Sequence, residues 1–380
     1  MNEPPPRMTA VYVHIPYCKS KCPYCDFASA PRDKSVSKYL YCLALEIAGR
    51  RSEISHIDTV YVGGGTPTIL SADTIEWLLD LLHEQLPVSR KAEVTVEANP
   101  GTLTRKKVEA LVASGVNRVS LGAQSFVEAE LSFLGRAHTV PDIGKSVSLL
   151  RAGGIRNISL DLMYGIPNQD MHTWHQSLEC ALELGPEHIS TYCLTYEPGT
   201  EFGTLLKQGA LKKKSDDEEL ELYELAHETL VAAGYEHYEI SNFALPGRRS
   251  RHNMVYWRNE EYMGLGAGAV SYLDGERVTN HRGISEYIRS MEEESTAEAD
   301  VEEISSEMQA VETMIQGLRL REGVNMAAFE SRFANNLSLF FKPQVDELVS
   351  LGLLELTPTS VRCTLRGWCL ANEIAMRLLP

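Results

Sequence analysis

The 380-residue sequence contains no uninterrupted apolar run of the roughly 18 residues that a membrane-spanning helix needs. Its first ten residues, MNEPPPRMTA, lack the basic and then apolar segments of a signal peptide, and residues 1–8 are expected to form a disordered leader. These absences predict a cytoplasmic protein without a membrane span, in which thiols stay reduced.

Positive charge is also scarce. The sequence has 36 Lys and Arg residues against 52 Asp and Glu residues, so its formal net charge at pH 7 is −16. A general nucleic-acid-binding protein needs a basic face, and this balance argues against nucleic acid as a partner. The remaining composition is typical of a globular protein that is long enough for one large domain and a smaller one.

Six short segments rich in Val, Ile, Tyr and Thr predict β-strands, and segments of helical period lie between them. The strand segments are AVYVHI, TVYVGGG, EVTVEANP, RVSLGAQS, ISLDLMYG and HISTYCLT. Ser71 is the predicted N-cap of one helix, and Gly115 and Gly185 follow two others. Six strand–helix units predict an α/β fold with a parallel sheet, which we interpret as a partial (β/α)6 barrel of the TIM type.

Four segments follow from this interpretation. The barrel is predicted over residues 9–210, with an extension over residues 211–290. The acidic segment 291–307 is poor in large apolar residues and predicts a linker or an exposed entry to a helix, of which we adopt the linker. Residues 308–380 predict a mostly helical, winged-helix-like domain with one β-hairpin, for which the acidic chain favours a packing or lid role over DNA binding.

Three cysteines, Cys18, Cys22 and Cys25, follow the first predicted strand in C-x3-C-x2-C spacing. They could form a zinc site completed by His14, or hold three irons of a 4Fe–4S cluster whose fourth iron binds a small molecule. Zinc ligands usually come as two separated pairs, and no second pair follows here. The spacing therefore favours the cluster.

Polar residues close the next predicted strands, at the end of a parallel βα barrel where active sites lie. The segment GGGTP closes the second strand, Glu97 the third and Gln124 the fourth, and Asp161 lies late in the fifth. The glycines would let the backbone approach a ligand closely. The carboxylate and amide groups, together with Arg136, could bind a polar cofactor by charge-assisted hydrogen bonds, or could only cap strand ends.

Together, CKSKCPYC and GGGTP resemble the radical S-adenosylmethionine (SAM) superfamily. The segments VEANPG, RVSLGAQSF, LGRAH, LDLMYGIP and HNMVYW are similar to its oxygen-independent coproporphyrinogen III oxidase branch. The resemblance implies a partial barrel with a helical C-terminal domain, a 4Fe–4S cluster held by the three cysteines, and SAM at the open iron. It implies that SAM contacts the following residues: Tyr12, Tyr24, Gly64, Gly65, Thr66, Glu97, Gln124, Arg136 and Asp161.

Two departures separate this chain from the oxidases. Their motif has a fourth cysteine where this chain has Phe27, and they have a long N-terminal extension, whereas only 17 residues precede Cys18. Both features resemble HemW-type haem chaperones, which bind haem and pass it to acceptor proteins. The segment HNMVYW is similar to their H-N-x-x-Y-W signature and implies haem binding by His252, Asn253, Tyr256 and Trp257.

Two functions remain open at this point, and whether the chain is an enzyme remains open with them. In the first, the chain binds one haem and delivers it to an acceptor haem protein, for which a membrane-bound respiratory protein is a candidate. In the second, it converts coproporphyrinogen III to protoporphyrinogen IX anaerobically. An imidazole beside flat rings suits haem, and the glycine-rich YMGLGAGAVSYL could approach a flat ligand or form a packed strand-turn.

Overall fold

The computed structural model describes residues 9–334 and 336–380, and the predicted leader over residues 1–8 lies outside them. The first half of the chain alternates strands and helices, with one 3-10 turn at Pro67–Ile69. Its elements are β1 (Ala10–Ile15), β2 (Tyr17–Cys18), β3 (Ala30–Pro31), α1 (Val36–Arg50), β4 (Ile57–Gly64), α2 (Ala72–Gln85), β5 (Val88–Ala98), α3 (Arg105–Ala113), β6 (Arg118–Gln124), α4 (Glu128–Phe133), α5 (Val140–Gly153), β7 (Ile158–Tyr164), α6 (Met171–Glu183), β8 (His188–Cys193) and α7 (Glu201–Lys207).

All six predicted barrel strands are present, and the predicted α/β fold with a parallel sheet is confirmed. Strands β1, β4, β5, β6, β7 and β8 are neighbours in this order, and each pairing is parallel. Apolar side chains alternate toward the surrounding helices, so polar side chains at the intervening positions face the inside of the barrel. Ser71 accepts a hydrogen bond from the Thr74 amide at 3.2 Å, as its N-cap role predicts.

The middle of the chain widens this sheet on both sides. Its elements are α8 (Asp216–Ala232), β9 (Glu236–Glu239), β10 (Asn242–Ala244), α9 (Arg251–Trp257), β11 (Tyr262–Leu265), β12 (Val270–Leu273), β13 (Glu276–Asn280), α10 (Ile284–Glu293) and β14 (Glu298–Glu303). Within the described residues the sheet has 12 strands, in the order β14-β13-β12-β11-β1-β4-β5-β6-β7-β8-β10-β9. β11 is parallel to β1, and the other added pairings are antiparallel.

The prediction of a linker over residues 291–307 is wrong. The segment contains the end of α10 and the whole of β14, which pairs with β13 so that Val301 lies opposite Val278. Arg277 of β13 forms an ion pair with Glu302 at 3.0 Å. The segment is acidic because β14 is the outer edge strand and every one of its residues is exposed, so it needs no apolar face.

The segment YMGLGAGAVSYL is a packed strand-turn, which consists of β11, β12 and the turn that joins them. A Cβ atom on Gly266 would lie 2.7 Å from the carbonyl oxygen of His14, and a Cβ atom on Gly264 would collide with the backbone of Val270. These glycines are therefore required because the chain packs closely on itself. The alternative, a surface for a flat ligand, does not fit this arrangement.

The C-terminal part has its own hydrophobic core, which includes Phe341 and Trp368. Its elements are α11 (Ser306–Gly317), β15 (Val324–Asn325), α12 (Met326–Phe333), α13 (Leu337–Phe340), α14 (Lys342–Ser350), β16 (Leu354–Leu356), β17 (Ser360–Cys363), α15 (Leu365–Cys369) and α16 (Ala371–Leu378). The predicted hairpin is present as β16 and β17, and β15 pairs with the other side of β17. Among the helices of the described ranges, none is long and apolar enough to cross a bilayer.

The C-terminal domain attaches to the edge of the large sheet at β9. A β-bridge joins Glu239 to Leu320, the Ile240 amide donates to the Arg319 carbonyl at 3.0 Å, and the Arg321 amide donates to the Tyr238 carbonyl at 2.9 Å. Backbone hydrogen bonds therefore connect the two cores directly.

Replacing Trp174 by Ala should lower the free energy of unfolding by about 3–5 kcal/mol, the usual cost of deleting a fully buried Trp side chain. Trp174 lies on α6, is 0% exposed, and donates from Nε1 to the Leu222 carbonyl at 2.9 Å. Urea unfolding followed by circular dichroism measures the loss. Trp77→Ala is the matched control, because that side chain is 43% exposed, and equal losses in the two variants would contradict the packing described.

Candidate cofactor site at the barrel mouth

The three cysteines lie on one loop at the carboxyl end of β1. Their side chains are half-buried, and the Cys25 amide donates to the Cys22 carbonyl at 3.1 Å. The Thr66 hydroxyl at the end of β4 lies 3.8 Å from the Cys18 sulfur. Burial raises the pKa of the Cys18 and Cys25 thiols above the usual value for cysteine.

His14 is not available to complete a zinc site with these cysteines. Its Nδ1 lies 2.9 Å from the Tyr12 hydroxyl and its Nε2 lies 2.7 Å from the Ala28 carbonyl oxygen. Across residues 9–334 and 336–380, no three His, Cys, Asp or Glu side chains converge where one metal ion could bind. In a 4Fe–4S cluster each cysteine binds a different iron, so sulfurs spread along one loop fit a cluster better than a single zinc ion.

Arg136 connects the cysteine loop to the ends of β5 and β6. Its Nη1 lies 3.6 Å from the Cys22 sulfur and 3.4 Å from the Tyr24 hydroxyl. Its Nη2 donates to the Gly122 carbonyl at 2.9 Å and to Asn99 Oδ1. Its Nε is buried and has no hydrogen-bond partner. This arrangement leaves a buried N–H next to the cysteine loop, which suits an anionic group of a ligand.

Gly122 is the point at which the polar side chains of this mouth meet. A Cβ atom there would lie 2.8 Å from Asn99 Oδ1, 3.1 Å from Gln124 Nε2 and 3.2 Å from Arg136 Nη2. Gln124 has a φ of +65°, where the register between β6 and β7 shifts. Gly122 is missing from the residues predicted above, although a glycine inside a strand such as RVSLGAQ is a usual sign of close approach.

The glycines of GGGTP pack closely against neighbouring parts of the chain. A Cβ atom on Gly64, whose φ is +110°, would lie 2.6 Å from the His14 ring, and a Cβ atom on Gly65 would lie 2.6 Å from the Tyr17 carbonyl oxygen. The Gly65 amide donates to Ile15 at 2.9 Å. Close packing of the chain therefore requires both glycines, and the contact of their backbone with SAM stays a prediction.

Deeper in the barrel, two carboxylates are held by hydroxyl and amide donors. Glu97 accepts from the Tyr61 hydroxyl at 2.8 Å and from the Gly64 amide at 3.0 Å, and burial raises the pKa of Glu97 to about 7. Asp161 accepts from Ser120 at 2.9 Å and from two other serines, and burial raises its pKa as well. The Tyr12 ring stacks on Tyr61 at a centroid distance of 6.1 Å. The predicted SAM contacts therefore form a mouth group around Arg136 and an interior group around Glu97.

His252 lies away from the mouth group and next to the interior group, where it packs against β4. Its Nδ1 is 2.9 Å from the Thr59 hydroxyl, its Nε2 is 3.0 Å from the Tyr256 hydroxyl, and its ring stacks on Tyr61 at 5.0 Å. The residue is 2% exposed, and burial lowers the pKa of His252 to about 3. This placement contradicts the prediction that His252 offers a nitrogen to haem iron, because both nitrogens have protein partners.

The rest of HNMVYW joins the barrel to the C-terminal domain. The Asn253 amide donates to the Ser250 hydroxyl at 3.3 Å at the start of α9, and the Arg319 guanidinium lies 4.5 Å from the centre of the Trp257 ring. A histidine beside aromatic residues has the same sequence pattern whether it binds a ligand or packs in a core.

Comparisons with known proteins identify the family of this chain. Residues 12–181 match the model of the radical SAM superfamily, and residues 304–370 match the HemN C-terminal domain. Proteins named heme chaperone HemW from Lactococcus lactis and Bacillus subtilis are each 38% identical to this chain over 97% of its length, and the matches cover 97% and 98% of those proteins. The chain belongs to the HemW family.

The solved structure of coproporphyrinogen III oxidase (HemN) from Escherichia coli has the same fold. It superposes with a TM-score of 0.85 and 23% identity, covering 98% of this chain and 90% of that one. The predicted resemblance to HemW-type proteins is thus confirmed, and the HemN likeness shows the shared fold.

Replacing Glu97 by Gln should remove a pH-dependent part of the stability of this HemW-family chain. Because burial raises the pKa of Glu97 to about 7, the folded state keeps a proton that the unfolded state has lost, and stability falls as pH rises toward that value. The Tm of E97Q relative to the unsubstituted chain should therefore increase as pH rises from about 5 to about 8. Thermal unfolding at several pH values measures this difference, and a gap that does not change with pH would contradict it.

Proposed function

We propose that this chain is a haem chaperone that binds one haem and transfers it to an acceptor haem protein. The observation that carries the proposal is the 38% identity, over nearly the full length, to proteins named as haem chaperones. Phe27 supports it, because this 67% exposed side chain stands where the oxidase motif would need a fourth cysteine. The proposal includes the cytoplasm as the compartment, since the cysteines must stay reduced.

A 4Fe–4S cluster held by Cys18, Cys22 and Cys25 is part of this proposal. When bound, the cluster supplies one-electron chemistry and an iron that is open to a small molecule. The Thr66 hydroxyl and the Arg136 guanidinium, 3.8 Å and 3.6 Å from cysteine sulfurs, would donate to the sulfur ligands. Such donors orient ligands and adjust the potential of a cluster.

SAM is the proposed exchangeable ligand beside the cluster. The unpartnered Nε of Arg136 fits the SAM carboxylate by a charge-assisted hydrogen bond. Glu97 and Asp161, deeper in the barrel, carry acceptor oxygens for ammonium and hydroxyl groups. The walls of the proposed site are the other predicted contacts: Tyr12, Tyr24, Gly64, Gly65, Thr66 and Gln124.

Replacing Cys22 by Ser should abolish anaerobic reconstitution of the cluster, because one of three iron ligands is lost. Iron and sulfide content and visible absorbance measure the result. Cys369→Ser is the matched control, since Cys369 is exposed on the C-terminal domain and outside the loop. A Cys22→Ser protein with a full complement of iron would remove the loop from the proposal.

Haem titration of the reconstituted protein should saturate near one haem per chain in the Soret band and survive gel filtration. His252→Ala should keep this stoichiometry but lower the Tm, because the imidazole packs inside the protein. Weak, unsaturable haem binding by the unsubstituted chain would contradict the chaperone proposal. Formation of protoporphyrinogen from coproporphyrinogen III above a cluster-free control would favour the oxidase instead.

A further inference from the structure

Arg118, the first residue of β6, is a buried cation without a protein acceptor. The residue is 2% exposed, and its Nε is buried with no hydrogen-bond partner. Within residues 9–334 and 336–380 its Nε lacks an acceptor, and Glu97 and Asp161 interact with its charge only through space. A buried charge that lacks a partner costs several kcal/mol, so such a group calls for a ligand or a compensating charge.

Thr95 provides a second unpartnered group at the same place. It lies directly opposite Arg118 in the parallel ladder between β5 and β6. Its side chain is 0% exposed, and its hydroxyl oxygen has no hydrogen-bond partner. Thr95 is on the same face of β5 as Glu97, which faces the barrel interior, because the two are two residues apart on one strand. Two adjacent donors therefore stand unsatisfied inside the barrel.

The other charged groups of the interior are satisfied without Arg118. Asp161 accepts from three serine hydroxyls, and Glu97 accepts from Tyr61 and from the Gly64 amide. The positive charge of Arg118 opposes the rise that burial causes in the pKa of both carboxyls, so the three charges lie in one electrostatic environment without direct contact.

The interior is accessible from the mouth as far as Asp161. Tyr192 on β8 is 41% exposed, and Asp161 on β7 is half-buried. Arg118 and Thr95, farther inside, are 2% and 0% exposed, so the proposed ligand would have to pass Asp161 to reach them.

We propose that Arg118 and Thr95 form a binding site for the carboxylate group of a small molecule inside the barrel, deeper than the proposed SAM site. Two N–H groups of a guanidinium match the two oxygens of a carboxylate, and the Thr95 hydroxyl adds a third donor. A monoanionic carboxylate suits this place better than phosphate, because Glu97 and Asp161 on neighbouring strands repel a dianion more strongly.

The proposed ligand-binding role and a purely structural role of Arg118 predict opposite effects of the same substitution on stability. If Arg118 is held for a ligand, the neutral variant Arg118→Gln is at least as stable as the unsubstituted chain when no carboxylate ligand is present. If Arg118 supports the fold, the same substitution lowers the Tm. Arg277→Gln is the matched control for a partnered arginine, since Arg277 forms ion pairs with Glu302 at 3.0 Å and with Glu312 at 2.7 Å.

The experiment measures the Tm of the full chain in chloride, acetate and inorganic phosphate at equal ionic strength. Acetate should raise the Tm of the unsubstituted chain and of Arg277→Gln but not that of Arg118→Gln, because a ligand of the folded state stabilises it. Thr95→Val, which keeps the shape of the side chain, should raise the half-saturating acetate concentration by roughly fivefold, the loss of one hydrogen bond.

Three results would overturn the proposal. An equal acetate shift in Arg118→Gln would make the ion adventitious, and a lower Tm of Arg118→Gln in chloride would make the arginine structural. A larger shift with phosphate than with acetate would overturn the assignment to a carboxylate. The test needs neither haem nor the cluster, so its outcome is independent of the proposed chaperone function.

Discussion

The guanidinium of Arg136 contacts three separate segments of the chain at the barrel mouth. It reaches the cysteine loop at Cys22 and Tyr24, the end of β5 at Asn99, and the inside of β6 at Gly122. A planar group with fixed donor directions defines distances between these segments in a way that a flexible ammonium would not. The position of the cysteine loop relative to the sheet depends on this one side chain, and so does the free N–H that suits a ligand carboxylate.

The inside of the barrel is polar, and its charged side chains differ in whether they have hydrogen-bond partners. Glu97 and Asp161 keep their acceptor oxygens occupied by hydroxyl and amide donors, whereas Arg118 has no such partner. At the amino-terminal side, His252 fills space against Thr59 and is neutral at physiological pH because burial lowers its pKa to about 3. Arg118, the first residue of β6, lies near His252, and its positive charge adds to the effect of burial in lowering the pKa of that imidazole. The neutral packing and the unsatisfied donor therefore both lie away from the mouth.

The local sequence pattern is sufficient to predict the six barrel strands, the Ser71 N-cap and the cysteine loop. Each of these features depends on residues that are close together in the sequence. It could not predict that β11 pairs in parallel with β1, since that contact joins segments about 250 residues apart. An acidic composition is common to linkers and to exposed edge strands. This is why the sequence of β14 predicts a linker where the structure has a strand. The prediction that His252 faces a ligand fails because a sequence does not show whether the neighbour of a side chain is cofactor or protein. The contacts of His252 with Thr59 and Tyr256 decide this.

The backbone contacts between β9 and residues 319–321 have a consequence for how the protein can be divided. Without the C-terminal domain, the amide of Ile240 and the carbonyl of Tyr238 would stand unpaired at the rim of a long sheet. Exposed strand edges recruit strands from other molecules and lead to aggregation. The smaller domain therefore covers a sheet edge that would otherwise be open to pairing, and we expect the larger domain to aggregate when it is produced alone.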